Sequence, residues 1–306
     1  MIADSRPQVL HTYQNHILDS TRWKRYRPRE DDIVISTSIK SGTTWMQSIV
    51  VNLVFQGKDV PSPGVVSPWI GIRLRPLDEM IAMLEAQQHR RVIKSHLALD
   101  GLPFYDQVKY IVVARDTRDV FMSLYNHYSN YTEEAQAFKN ADLEGEAFPE
   151  CPDDIRVFWS DWITRGWFEW ESEGYPYWGN LHHTKTWWEY RHLPNIMFVH
   201  YNDLLADLPG EIVRVAEYLD IPVGEEVLTR IVEAVSFDSM KKNADFIAPH
   251  EAQIFKGGGQ TFIHKGTNGR WREVLTKEDL ELYIAAMKRV VSPECAEFLE
   301  HGRSRL

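Results

Sequence analysis

The chain has 306 residues, a formal charge of −10 and 43% hydrophobic residues, an ordinary globular composition long enough to bury a sizeable core. The acidic balance argues against general nucleic-acid binding, which runs on a broad basic surface, but leaves room for a locally basic pocket. Cys151 and Cys295 are too few for a disulfide framework, and the N-terminal MIADSRPQVLHTYQNHILDS lacks the apolar core of a secretion signal. No stretch approaches the ~18 apolar residues of a membrane span. The expectation is a cytoplasmic protein without an integral membrane segment.

RWKRYRPR (22–29) carries five basic residues; a solvated entry segment is the simpler reading, an anion-facing patch the other. Asp32 to Ser38 reads as a buried strand centred on Ile33, Val34 and Ile35. From Thr43 the period changes: Met46, Ile49, Val50, Leu53 and Val54 fall on one helical face. A helix is expected around Leu77–Gln88 and a short strand over Arg91–Ser95. KYIVVA (Lys109–Ala114) is a further strand, followed by a helix from about Thr117 to Ser129 that Asp116 can cap. Asn195–His200 is the last strand, with helices near Gly210–Leu219 and Glu225–Val235. This alternation implies a mainly parallel sheet with helices on both faces. Two stretches interrupt it. Asn130–Pro176 is acidic and aromatic, and seven of the eleven tryptophans lie between Trp159 and Trp188. Asn243–Arg270 has little periodicity. Such stretches are often functional loops. No composition break marks a boundary, so residues 1–306 are expected to form one domain.

SIKSGTTW (38–45) occupies a strand-to-helix junction. The free N–H groups of a first helical turn and the helix dipole favour an anion there. Gly42 lets the backbone come close, Ser41, Thr43 and Thr44 add hydroxyls, and Lys40 adds a positive charge. The lysine precedes the glycine, unlike a Walker loop, and KYIVVA ends in Arg115 rather than a magnesium-binding carboxylate. Spacing alone leaves an anion loop and a serine-rich capped turn equally open.

Five motifs in order resemble the cytosolic sulfotransferase family: SIKSGTTW, KSH (94–96), ARDTRDVFMSLYNHY (114–128), SFDSMKKN (236–243) and FIHKGTNGRW (262–271). The resemblance implies a single α/β domain around a parallel sheet, related to the nucleotide kinases. It also implies sulfuryl transfer from 3′-phosphoadenosine 5′-phosphosulfate (PAPS), leaving 3′,5′-adenosine bisphosphate (PAP), with no metal. Carried onto this chain, it assigns the 5′-phosphosulfate loop to Lys40, Ser41, Gly42, Thr43, Thr44 and Trp45. Ile39 stands where the family has proline. The 3′-phosphate falls to Arg115 and Ser123, and adenine to Trp45, Phe237 and Tyr201. The C-terminal phosphate loop falls to His264, Lys265 and Gly266, with His264 in place of an arginine and Arg270 in place of an aspartate.

For a displacement of this kind, catalysis is mostly positioning and electrostatics. The resemblance makes His96 the base that takes the acceptor proton, a task for an imidazole of unperturbed pKa near ~6.5. It sets Lys94 against the sulfuryl oxygens and Lys40 at the leaving oxygen, with Ser123 holding Lys40 aside until acceptor binds. The aromatic stretch 130–188 suggests an apolar acceptor such as a phenol, a sterol-like alcohol or a lipid, although tryptophans also build cores. VSPWIGIRLRP and EAQQHRRVIKSH resemble bacterial glycolipid sulfotransferases. The family's homodimer motif is altered here: Arg272 replaces its lysine and Lys277 its valine. A catalytically silent nucleotide-binding protein and a metal-dependent nucleotide kinase of related fold are the rival readings.

Overall fold

A computed structural model describes residues 6–143 and 145–303. The extreme ends of the expected 1–306 domain, and the first five residues of the N-terminal segment, lie outside the described residues. Four short apolar runs pair side by side: β1 (Ile33–Thr37), β2 (Val92–Ser95), β3 (Lys109–Ala114) and β4 (Ile196–His200). All pairings are parallel, in the order β2-β1-β3-β4. The register sets Ile35 opposite Lys94 and Ile111, so the ends of three strands finish level.

Side chains alternate across the sheet, as the two-residue period of a strand requires. Ile33, Ile35, Ile111 and Val113 enter one apolar layer with Met46, Ile49 and Val50 of the helix Thr43–Val54 and Ile212 and Val215 of the helix Leu208–Tyr218. Val34, Tyr110 and Val112 enter the opposite layer. There they meet Phe121 and Leu124 of the helix Thr117–Ser129, Trp159 and Trp162 of Ile155–Thr164, and Trp187 of Asn180–Trp188. Asp116 caps the helix Thr117–Ser129 by accepting from the Arg118 N–H. The result is an α/β fold with helices on both faces of a parallel sheet, and among the described residues no helix is long and apolar enough to cross a membrane.

The tryptophan-rich stretch builds this core. Trp159, Trp162, Trp178 and Trp187 are fully buried, and the stretch contains the helices Glu133–Asn140 and Ile155–Thr164 rather than one long loop. The stretch 243–270 is likewise broken into short helices, Ala244–Ile247, Glu251–Ile254 and Gly259–Phe262. The basic run 22–29 does not line the cavity at the strand ends: Arg22 donates to the carbonyls of Ile70 and Arg75, and Arg29 to Gln87 and Glu85. Its apolar members Trp23 and Tyr26 are buried. In the region of the altered dimer motif, Thr276 caps the helix Lys277–Val290 and Asp279 binds Arg156 of the same chain.

A buried ion pair anchors the N-terminal ends of β1 and β2. Arg91 and Asp32 are each 1% exposed; Arg91 Nε donates to Asp32 Oδ1 at 2.7 Å, and the Tyr26 hydroxyl and the Arg29 N–H bind the other oxygen at 2.6 and 2.9 Å. Removing Asp32 leaves the buried Arg91 charge with only the half-exposed Glu85, at 2.9 Å, to balance it. Asp32→Ala is therefore expected to lower unfolding stability by about 3–5 kcal/mol in urea titrations. The neighbouring exposed Glu30→Ala should leave stability within about 0.5 kcal/mol. Equal, small losses from both would show that the pair does not hold the strand ends.

Candidate active site

The strands end at a cavity of about 330 Å³. Its floor comes from the residues that follow β1, β2 and β3, the usual ligand crevice at the carboxyl ends of parallel strands. After β1 the chain turns through Lys40, at φ 67°, and Gly42, at φ 113°, into the helix that starts at Thr43. A Cβ at Gly42 would lie 3.1 Å from the Tyr201 ring, so a side chain is disfavoured there both by conformation and by space. Lys40, Gly42, Thr43, Thr44 and Trp45 line the cavity. Ser41 does not; its hydroxyl is buried 2.7 Å from Ser38 Oγ, which in turn accepts from Asn180 Nδ2 at 2.5 Å. Ser41 thus braces the loop from beneath. Ile39 is buried and forms cavity wall in the position expected of a stiffening proline.

His96 follows β2. Its Nδ1 lies 2.9 Å from the Thr37 carbonyl. A carbonyl only accepts, so Nδ1 carries the proton and Nε2 keeps its lone pair. Burial, and next the Lys94 charge, hold the imidazole well below its usual 6.5. This is lower than a solvent-like imidazole and leaves it neutral, ready to accept a proton. Trp69 meets the ring edge-on at 4.7 Å. Lys94 also lines the cavity: its ammonium is 5.0 Å above Trp69 and 3.7 Å from Glu251. Burial lowers its pKa, with Glu251 opposing.

Lys40 has a different partner from the one expected. Its ammonium is 3.5 Å from His127 Nδ1 and 4.3 Å over the Phe262 ring, while Ser123, one helical turn before His127, lines the cavity without an observed bond to Lys40. An ammonium has no lone pair, so Nδ1 of His127 accepts. Burial first, then Lys94, brings the Lys40 pKa down to about 7.

Arg115 extends from the end of β3. Its guanidinium lies 4.0 Å over the Tyr201 ring and donates twice to Asn268 Oδ1, at 3.0 and 2.6 Å. Asn268 is itself fixed by donating to Asn202, and the Gly269 N–H donates to Asp119 at 2.7 Å. These bonds bring the loop His264–Arg270 over Arg115. Gly266, at φ 66°, packs so closely on Phe237 that an added Cβ would lie 2.4 Å from that ring. Trp45 donates from Nε1 to the Val235 carbonyl at 2.9 Å and meets Tyr201 edge-on, beside the half-exposed Phe237. Burial and then the neighbouring Arg270 bring His264 down to about 4, so it is neutral near pH 7.

With the exception of Ser41, every site residue expected from sequence borders this one cavity. Sequence reasoning missed His127, Tyr131, Lys139, Glu251 and Asn268. His127 lies in the quoted motif, four residues after Ser123, and helical spacing was the available signal. Asn268 likewise lies in a quoted motif, FIHKGTNGRW, and Tyr131, Lys139 and Glu251 have no signal beyond their place in the two irregular stretches.

A family model described as "Sulfotransferase domain" matches residues 30–293. The chain is 33% identical to the glycolipid sulfotransferase of Mycobacterium tuberculosis, over 95% of this chain and 94% of that protein. It is 29% identical to rat sulfotransferase 1A1 over 83% of this chain and 82% of that one. Among solved structures, mouse sulfotransferase SULT7A1 complexed with PAP superposes with a TM-score of 0.69 at 18% identity, covering 94% and 97% of the two chains. Retinol dehydratase in a complex with retinol and PAP gives 0.66 at 24% identity, covering 89% and 87%.

The Lys40 environment predicts a trade between stability and charge. A group at about 7 when folded and 10.5 when free opposes folding fully below pH 7, and the cost fades as pH rises toward 10.5. Lys40→Met is expected to raise the melting temperature of the ligand-free protein by about 3 °C or more at pH 6.5, and by much less at pH 10. Scanning calorimetry at both pH values tests this; an equal change at both would refute it.

Proposed function

The chain belongs to the sulfotransferase-domain family, and from that premise we propose that it transfers a sulfuryl group from PAPS to a hydroxyl, or an amine, of an apolar acceptor. We read residues 1–306 as a single domain serving this one reaction. One observation carries the proposal. The Lys40 loop, Arg115 with Ser123, and the His264–Gly266 loop converge on the cavity that also receives the lone pair of His96 Nε2.

The residues fit an adenosine bisphosphate. The first-turn N–H groups after Gly42 and the Lys40 ammonium suit the 5′ end. Arg115, already oriented by Asn268 and Tyr201, suits the 3′-phosphate with Ser123 and Lys265. Arg270 Nε is buried at the cavity with no hydrogen-bond partner, a donor suited to an anion and a replacement for the arginine lost at His264. Trp45, Phe237 and Tyr201 supply the aromatic surfaces for adenine. When bound, PAPS supplies a sulfuryl group activated by its link to phosphate.

In this reading His96 takes the acceptor proton at Nε2 while Thr37 holds Nδ1–H in place. Lys94 meets the sulfuryl oxygens and exchanges its contact with Glu251 for them. Lys40 stabilises the negative charge that develops on the leaving oxygen. His127, rather than Ser123, is the group from which Lys40 moves. The mycobacterial relatives are glycolipid sulfotransferases, and the apolar wall of Ile17, Ile72, Leu74 and Phe138 suits a lipid-like or aromatic acceptor. The two free cysteines accord with a cytoplasmic setting.

A thermal-shift comparison of PAP with Mg-ATP tests the donor site: PAP is expected to stabilise the protein and Mg-ATP to do so far less. The opposite order favours a nucleotide kinase. His96→Ala is expected to retain PAP binding while PAPS-dependent turnover falls by about 10²-fold or more. Near-normal turnover would remove His96 as the base.

A further inference from the structure

The acceptor side of the cavity contains a cation that the donor chemistry does not use. Lys139, in the last turn of the helix Glu133–Asn140, is 3% exposed and lines the cavity. Its ammonium sits 3.2 Å over the Tyr131 ring and 3.5 Å from the Ala135 carbonyl. No carboxylate of the described residues pairs with it. From neighbouring elements the one negative charge near Lys139 and Tyr131 among the described residues is that of Glu251, which acts on Tyr131 and is itself held by Lys94 at 3.7 Å. His127 and the fully buried His16 both feel the positive charge of Lys139, and Arg73 clamps the helix end by donating to the Lys139 carbonyl at 2.6 Å. Burying an ammonium on these terms is costly; burial alone brings its pKa down to about 7.

A line of close contacts joins this cation to the reacting end. Lys40 is 3.5 Å from His127, the His127 ring is 5.1 Å from Tyr131, and Tyr131 lies beneath Lys139. The Tyr131 hydroxyl accepts from Tyr177 at 3.5 Å, so its own proton is free to be donated beside the ammonium. Between the two ends the wall is apolar, with Ile17, Ile72, Leu74 and Ala135.

We propose that Lys139 and Tyr131 form an acceptor subsite for a carboxylate, so that the preferred acceptors are apolar hydroxy acids bound hydroxyl-first toward His96. This rests on the sulfuryl-transfer reading above. One ammonium and one hydroxyl match a monoanion; a phosphate dianion would need a further cation. The carboxylate neutralises Lys139, and the apolar wall accepts the chain between the two polar ends. A fully apolar acceptor leaves the ammonium unpaired and binds less well.

The test compares PAPS-dependent turnover of 4-(hydroxyphenyl)alkanoic acids with 4-alkylphenols of matched chain length. The wild-type protein is expected to favour the acid by about tenfold or more in kcat/KM, chiefly through KM. In Lys139→Met, which keeps the stem and removes the charge, that ratio is expected to fall to near one. Because the quantity is a ratio within one preparation, partial loss of folded protein does not change it. A wild-type preference for the neutral phenols, equal use of both, or an acid preference that survives Lys139→Met would each overturn the proposal. Failure of the wild type to sulfate either series while still binding PAP would overturn the subsite and leave the sulfuryl-transfer reading standing, whereas failure to bind PAP at all would overturn that reading.

Discussion

Four cations of the cavity rest on aromatic faces: Lys40 on Phe262, Lys94 on Trp69, Arg115 on Tyr201 and Lys139 on Tyr131, at 4.3, 5.0, 4.0 and 3.2 Å. The rest of the site depends on this arrangement. A ring face attracts a cation without cancelling its charge. A carboxylate in the same place would compete with any anion that enters the cavity. In a chain of net charge −10, carboxylates are abundant, yet Glu251 is the one that lines this cavity among the described residues. The desolvation cost appears as lowered pKa values for Lys40, Lys94 and Lys139. A bound anion relieves that cost, which makes affinity and charge burial two sides of one constraint.

The histidines follow the same logic. His96 and His127 are both held neutral by burial, with nearby ammonium groups adding to the effect. Neutrality gives each a lone pair: one at His96 Nε2, the other at His127 Nδ1 toward Lys40. A concentration of positive charge thus favours anions and keeps the imidazoles unprotonated. Hydrogen bonds with fixed roles orient the groups, with the Thr37 carbonyl setting the tautomer of His96 and Asn268 setting the fork of Arg115.

The scaffold makes these contacts possible through level strand ends. Parallel pairing in register brings Thr37, Ser95 and Ala114 to one edge of the sheet, so the next residues enter a common space. The Arg91–Asp32 pair ties the opposite ends of β1 and β2. The roof comes from the two stretches without clear periodicity. Thr132 donates to the Ile254 carbonyl and Lys256 to that of Asn130, which joins the segment bearing Tyr131 and Lys139 to the segment bearing Glu251 and Phe262. Of the tryptophans, Trp159 and Trp162 pack on Phe121 in the core, while Trp178 lies 5.8 Å from the His96 ring.

The strands and the helix Thr117–Ser129 were legible in the sequence because local rules determine them. Apolar runs, a change from period two to 3.6, a capping aspartate and a glycine between strand and helix each act over a few residues. The order of five short motifs then identified Lys40, His96, Arg115 and the loop around Gly266. Only the tertiary structure decided the partners of those groups. That Asn180 holds Ser38 beneath the loop, that Lys40 rests against His127 and that Glu251 reaches Lys94 all depend on contacts between segments far apart in the chain. Periodicity carries no information about such contacts, because a side chain's burial and charge environment are set by whichever segments fold over it.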